Sequence, residues 1–464
     1  MNQSDLRKLL TLALPVTLQA ALFAATGMID VLMVGHLGDV AVAAVGFGAK
    51  INHVVFVVTI GVCMGVSALI SQYWVNRQWQ RIRQAQLYAI ALGGLLIAPF
   101  FGLLLIAPEL IAATASTEQE VIDIAAEYLW ITSWTYLFAL VALVWEHGLR
   151  ATGHPLVPLT IACLCFIINI ALNYILIYGH FGFDPMGVKG AAIATVIARI
   201  AHLVFTALYI YSHTNRLLLR RIDISRALVS KGFGRFCKIT MPIVGNVTVW
   251  VLGTLCYHII SGHLDTQALT AVSLMAPLET LLAAVYIGLF NACAILVGYK
   301  LGRNEFEDAA RTGIGITVGA VGSALAVGLA LWFLSDWTAA LLAPDSSETV
   351  NILSGIIAIF AVGFWLRVSN MLMFNGILRA GGDNAFCLKL EILCMWVIEI
   401  PLALALAFYF KLPFIYVFGV FLISESIKAL LAARRVKSGI WKVNLTKNTT
   451  THKKTVAQEK PEIA

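Results

Sequence analysis

The chain is 464 residues long, 60% hydrophobic and 12% charged, with a formal net charge of +7. Soluble globular chains have roughly 45–50% apolar and about 25% charged residues, so this balance excludes an ordinary soluble domain and points to a membrane protein. The eight cysteines form no CxxC pair, and in apolar runs they read as small buried hydrophobes rather than metal or redox ligands.

The first apolar run, from Leu9 to Val34, exceeds the about 20 residues needed to cross a hydrocarbon core roughly 30 Å thick. Asp30 in GMIDVLMVG therefore lies at membrane depth. Arg7 and Lys8 precede the run and LQAALFAA offers small residues, but the run outlasts the about 7–15 residues of a signal-peptide core, so it is expected to be retained. Eleven further stretches follow, centred roughly at residues 58, 96, 136, 168, 200, 249, 284, 322, 364, 397 and 422 by the long-apolar-run criterion. Polar punctuation separates them, as in GHLGD at 35–39, NRQWQRIRQ at 76–84, GHLDT at 262–266 and GRNEFED at 302–308. The segment from Arg434 to the end, rich in Lys and Thr, is expected to be a disordered tail.

Basic residues are divided by side. Arg77, Arg81 and Arg83 follow the second stretch, Arg216, Arg220, Arg221, Arg226, Lys231 and Arg235 follow the sixth, and Lys300, Arg303 and Arg311 follow the eighth, whereas the alternate loops GHLGD, APELIAATASTEQE, GHLDT and APDSSETV carry none. The positive-inside rule then places both termini in the cytoplasm of a multi-pass inner (plasma) membrane protein.

The chain also repeats itself. Pro15 falls on Pro242, Gly35-His36-Leu37 on Gly262-His263-Leu264, and Ala44-Val45 on Ala271-Val272, all without a gap. LRATGH at 149–154 echoes LRAGGD at 378–383 after a two-residue shift. The expected fold is an all-α polytopic membrane protein of twelve transmembrane helices, in two six-helix halves related by a pseudo-two-fold axis along the membrane normal. The expected bounds are 1–212 and 239–433 for the lobes, 213–238 for a basic linker that lets them rock, and 434–464 for the tail.

In this register the partner of Asp30 is Tyr257, so the carboxylate belongs to something the first half does alone. A central Asp costs about 2.5–3.5 kcal/mol even on a lenient insertion scale and is functional by default. Thr26 stands one turn before it, and Asn169 and Asn173 are spaced i, i+4 on one face of the fifth helix. Amides can hydrogen-bond a carboxyl in either protonation state. No lysine or second acid stands obviously near Asp30 in sequence. Glu146 stands four residues before Arg150, the favourable order for a helix ion pair. Glu279, Arg367, Glu391 and Glu399 either line a cavity or pair with one another.

The Asp in GMIDVLMVGHLG, Pro15 on the same helix, NIALN at 169–173, GAAIAT at 190–195 and the doubled LRAxG resemble the multidrug and toxic compound extrusion (MATE) family, in its DinF-like prokaryotic branch, over about residues 5–435. The resemblance implies a cation-coupled exporter with Asp30 as the proton or sodium site, Asn169, Asn173 and Thr195 as its partners, and a helix-1 bend at Pro15. Asn173 stands where sodium-binding relatives have a second Asp. One formal charge suits a hard cation poorly, so proton coupling is expected, with sodium coupling the alternative.

The expected cargo is lipophilic or cationic drugs, held by aromatic and Met side chains, and the expected working unit is a monomer with no nucleic-acid partner. No GxxxxGK[ST] occurs and the histidines lack ligand spacing, so no cofactor, metal or catalytic residue is expected, and an ion gradient must supply the energy. A lipid-linked or polysaccharide-precursor flippase would want several deep cations, and only Lys50, Arg199, Arg367 and Lys428 are candidates. A membrane-embedded enzyme would want a His-Asp or Ser-His constellation, whereas GHL at 35 and 262 reads as a paired turn.

Overall fold

The structure is a computed structural model that describes residues 3–114, 118–214, 216–220, 222, 223, 225, 227, 232–343 and 347–447. Its described residues are almost entirely helical, as a chain in hydrocarbon must be when only its own carbonyls can satisfy its amides. Eleven of the described helices are long and apolar enough to cross a membrane, and a twelfth span is a bent pair. In chain order the first lobe comprises α1 (Gln3–Val34), α2 (Asp39–Val75), α3 (Trp79–Ile106), α4 (Gln119–Ser133 with Thr135–Ala151), α5 (Leu156–Tyr178) and α6 (Gly187–His213). The second comprises α7 (Gly232–Leu264), α8 (Thr266–Gly302), α9 (Phe306–Phe333), α10 (Ser347–Leu378), α11 (Asn384–Tyr409) and α12 (Phe414–Ser438). All twelve expected centres fall inside these spans.

The 40° bend of α4 has a local cause. Thr132 Oγ1 donates to Tyr128 O at 2.8 Å, Ser133 Oγ to Trp130 O at 2.7 Å and Thr135 Oγ1 to Thr132 O at 2.6 Å. Three successive hydroxyls drawing on the helix's own carbonyls loosen the ladder there. In contrast, α1 is one uninterrupted helix through Pro15.

The lobes pack crosswise, α1 on α8 and α7 on α2, as the internal symmetry requires, with α2 also against α8. Small residues allow this. A Cβ on Gly61 would lie 2.9 Å from Val244 Cα, and one on Gly298 would overlap the Ser71 side chain. Such contacts let transmembrane backbones approach closely. Polar ties accompany them on the side of the basic loops: Tyr299 Oη donates to Ala151 O at 2.8 Å, and Lys300 Nζ lies 3.3 Å from Asp5 Oδ2.

Three expectations are corrected. The expected linker 213–238 is shorter, because α7 already begins at Gly232. Only the first GHL is a turn, a 3-10 helix over Gly35–Leu37; the second ends α7, and Asp265 caps α8 by accepting from Gln267 N at 3.2 Å. The expected disordered tail is ordered through residue 447, while residues 448–464 lie outside the described residues. After α12 the chain turns at Gly439 (φ 71°), buries Trp441 completely and lays residues 441–447 against the basic side of both lobes. Leu445 N donates to Gln72 Oε1 at 2.6 Å, Gln72 Nε2 donates to Ala380 O at 2.8 Å, and Asn444 Nδ2 reaches Gly302 O at 3.0 Å. Trp441 and Leu445 are buried together with the polar Asn444 and Thr446, so apolar burial and these hydrogen bonds together hold the segment down where composition alone suggested disorder.

Candidate functional site

Asp30 sits near the end of α1, half-buried, facing α5. Asn173 Nδ2 donates to Asp30 Oδ1 at 2.6 Å, and Asn169 Oδ1 lies 3.5 Å from the same nitrogen. Both asparagines are buried. One turn beyond, Tyr178 Oη donates to Met33 O at 2.7 Å and fixes α5 to α1 a second time. Gly190 completes the frame by letting α6 pack directly on the α5 backbone, since a Cβ there would stand 2.6 Å from Leu176 O.

The structure thus brings together Asp30, Asn169 and Asn173. It does not bring the hydroxyls: Thr195 Oγ1 donates to Ala191 O at 3.0 Å and Thr26 Oγ1 to Leu22 O at 2.9 Å, each within its own helix. Nor is Asp30 without a charged neighbour. Arg199 on α6 is close enough to act on its charge, with its guanidinium 5.7 Å from the Phe23 ring centre and Phe23 stacked on Phe56 at 4.3 Å.

Glu146 is not simply the helix partner of Arg150. It is fully buried. His202 Nε2 lies 2.7 Å from its Oε1, Gln19 Nε2 lies 3.2 Å from both oxygens, and Arg150 Nη2 is more distant at 3.4 Å from Oε2. Gln19 Oε1 accepts in turn from Arg150 Nη2 at 2.7 Å. His147 Nδ1 lies 3.0 Å from Leu143 O, and because a carbonyl can only accept, the proton is on Nδ1 and Nε2 is free to face Arg150. Arg199 and His202, at i and i+3 on α6, place the Asp30 and Glu146 groups along one helix face. That spacing was the available sequence signal for the second group.

The second lobe carries a different cluster. Lys428 Nζ lies 2.9 Å from Glu391 Oε1 and 3.3 Å from Glu425 Oε1, while Asn370 Nδ2 donates to Glu425 Oε2 at 2.6 Å. Glu399 is buried next to Tyr257, the counterpart of Asp30. With the two-residue shift of the repeat, Lys428 is the counterpart of Arg199 and Ser424 of Thr195. Each lobe therefore keeps a cation at the same place and surrounds it differently. Arg367 Nη1 lies 3.4 Å from Glu279 Oε2, so those two pair with each other.

A family model described as MatE matches residues 15–175 and again 242–405, beginning at Pro15 and at Pro242. The chain is 22% identical to the uncharacterized transporter YisQ of Bacillus subtilis, over 93% of this chain and 94% of that one. It is 26% identical to the probable multidrug resistance protein NorM of Agrobacterium fabrum, over 86% of each. Its fold matches the Vibrio cholerae MATE transporter VcmN in the bent form, with a TM-score of 0.82 at 18% identity, covering 95% of this chain and 99% of that one.

Proposed function

The chain belongs to the MatE family, and on that premise we propose that it is a secondary multidrug exporter exchanging lipophilic, mostly cationic compounds for protons at Asp30. The probable multidrug resistance proteins among its relatives support the cargo class. The basic side faces the cytoplasm of the inner membrane, and one chain is the working unit.

The observation that carries the proton assignment is the Asp30–Asn173 contact. As a carboxylate, Asp30 accepts from Asn173 Nδ2. As an acid, it has a proton to donate, and Asn173 Oδ1 is a buried acceptor with no other partner among the described residues. Turning the amide end for end satisfies both states, so proton uptake exchanges one hydrogen bond for another. Arg199 argues against sodium, because a fixed guanidinium beside the site repels a metal cation. One elementary charge moving through 100 mV releases about 2.3 kcal/mol, enough for a gradient of roughly fortyfold in a neutral substrate.

The test is ethidium transport in proteoliposomes. A pH gradient without sodium is expected to drive it, and Asp30→Asn is expected to reduce it to the level of empty vesicles while the purified variant keeps the wild-type unfolding midpoint. Transport driven by a sodium gradient at equal pH would overturn the proton assignment, and wild-type efflux by Asp30→Asn would overturn the residue.

A further inference from the structure

The turn between α2 and α3 and the segment after α6 border an open cavity of about 690 Å³ on the basic side, lined among the described residues by five arginines and no acidic side chain. The five differ in how they are held. Arg216 lies over the rings of Trp74 and Trp79, 5.6 and 4.6 Å from their centres. Arg83 Nε is 2.8 Å from Asp223 Oδ2, and Arg81 Nη1 donates to Thr446 O at 2.7 Å. Arg77 and Arg220 are exposed and have no side-chain partner among the described residues. Three guanidiniums are thus pre-positioned and two are free around one opening.

The repeat supplies a control. The matching turn between α8 and α9 has the same backbone: Asn304 (φ 64°) stands for Arg77 (φ 53°), and Glu305 (φ −84°, ψ 63°) for Gln78 (φ −88°, ψ 63°). Its next residues are Phe306, Glu307 and Asp308 where the first lobe has Trp79, Gln80 and Arg81. Acids at a helix start are what the helix dipole favours, and arginines there are opposed by it. The backbone of the turn does not require arginines at the start of α3, and Arg77 and Arg81 sit against the local field until an anion joins them. Trp74 and Trp79 beside them, at the ends of two spans, mark the headgroup level.

We propose that this pocket binds the phosphate of an anionic phospholipid headgroup. Basic pockets at the ends of transmembrane helices suit that chemistry, and guanidinium forks match phosphate oxygens in pairs. A soluble phosphate ester offers the same oxygens, so the test separates the two. Purified protein in detergent is titrated with phosphatidylglycerol, phosphatidylcholine and glycerol 3-phosphate, with bound ligand read by native mass spectrometry. Wild type is expected to retain phosphatidylglycerol in preference to phosphatidylcholine. The Arg77→Gln/Arg220→Gln variant is expected to bind phosphatidylglycerol roughly thirtyfold more weakly, and Arg303→Gln in the matching turn is expected to bind it as wild type does. The unliganded double variant should unfold at or slightly above the wild-type midpoint, since like charges have been removed. Equal phosphatidylglycerol affinity in wild type and the double variant overturns the site. Retention of glycerol 3-phosphate as tight as that of the lipid, lost in the double variant, overturns the lipid and leaves a soluble ester.

Discussion

Asp30 and Glu146 are both acids at membrane depth, but their surroundings suit them to different work. Asp30 is half-buried and touches an amide, a partner that follows it through either protonation state. Glu146 is fully enclosed by His202, Gln19 and Arg150, and removing one member of such a group leaves another charge stranded. Glu146→Gln is therefore expected to lower stability by about 3–5 kcal/mol, the cost of a buried charge left without its partner. Adding Arg150→Gln should restore part of that loss, so in thermal or denaturant unfolding the double variant lies above the sum of the singles. Strict additivity would mean that Arg150 does not depend on Glu146. Asp30, Asn169 and Asn173 were legible in the sequence because intramembrane acids are rare and i, i+4 spacing is local. The approach of His202 to Glu146 was not, because it joins residues 56 apart on helices whose relative rotation is set by packing.

At the level of elements, two helices connect the groups. α6 carries Thr195, Arg199, His202 and Thr206 along one face, one on each successive turn, a polar stripe that a count of hydrophobic residues passes over because apolar residues fill the positions between. α1 carries Gln19 of one group and Asp30 of the other on a single uninterrupted helix. Pro15 removes the bond that would end on the Thr11 carbonyl, so this helix has a ready place to flex. A protonation change at Asp30 that reverses its hydrogen bond with α5 can then be met by bending at Pro15 while the turns before the proline stay packed on α8. Pro15→Ala is expected to slow ethidium efflux while leaving pH-dependent spectroscopic change near Asp30 in place. Efflux at the wild-type rate would move the motion to rocking of the lobes. The twelve spans themselves were readable from run length, yet the bend of α4 was not, since it depends on three hydroxyls turning inward at Thr132, Ser133 and Thr135.

The two lobes are tied on the basic side by side-chain hydrogen bonds, and the last described residues are part of that joint. The repeat made the lobe pairing readable, but composition concealed the closing segment, because it opens a tail whose Lys and Thr content as a whole reads as disordered. Gln72 uses its amide on Ala380 and Leu445 together, so a side chain of the first lobe holds the turn after α10 and the segment after α12. These bonds also span long stretches of chain, 308 and 373 residues. Closing so long a loop is the entropically late step of assembly, and it follows that each lobe can form from its own neighbouring helices before the joint is made. Bonds made after the transition state govern how fast a protein comes apart rather than how fast it forms. Gln72→Ala, which strands a buried amide and a carbonyl at about 1–3 kcal/mol, is therefore expected to speed unfolding in denaturing detergent and leave the refolding rate unchanged. A slower refolding limb would place the closing of the basic side at the start of assembly, with the lobes forming around it.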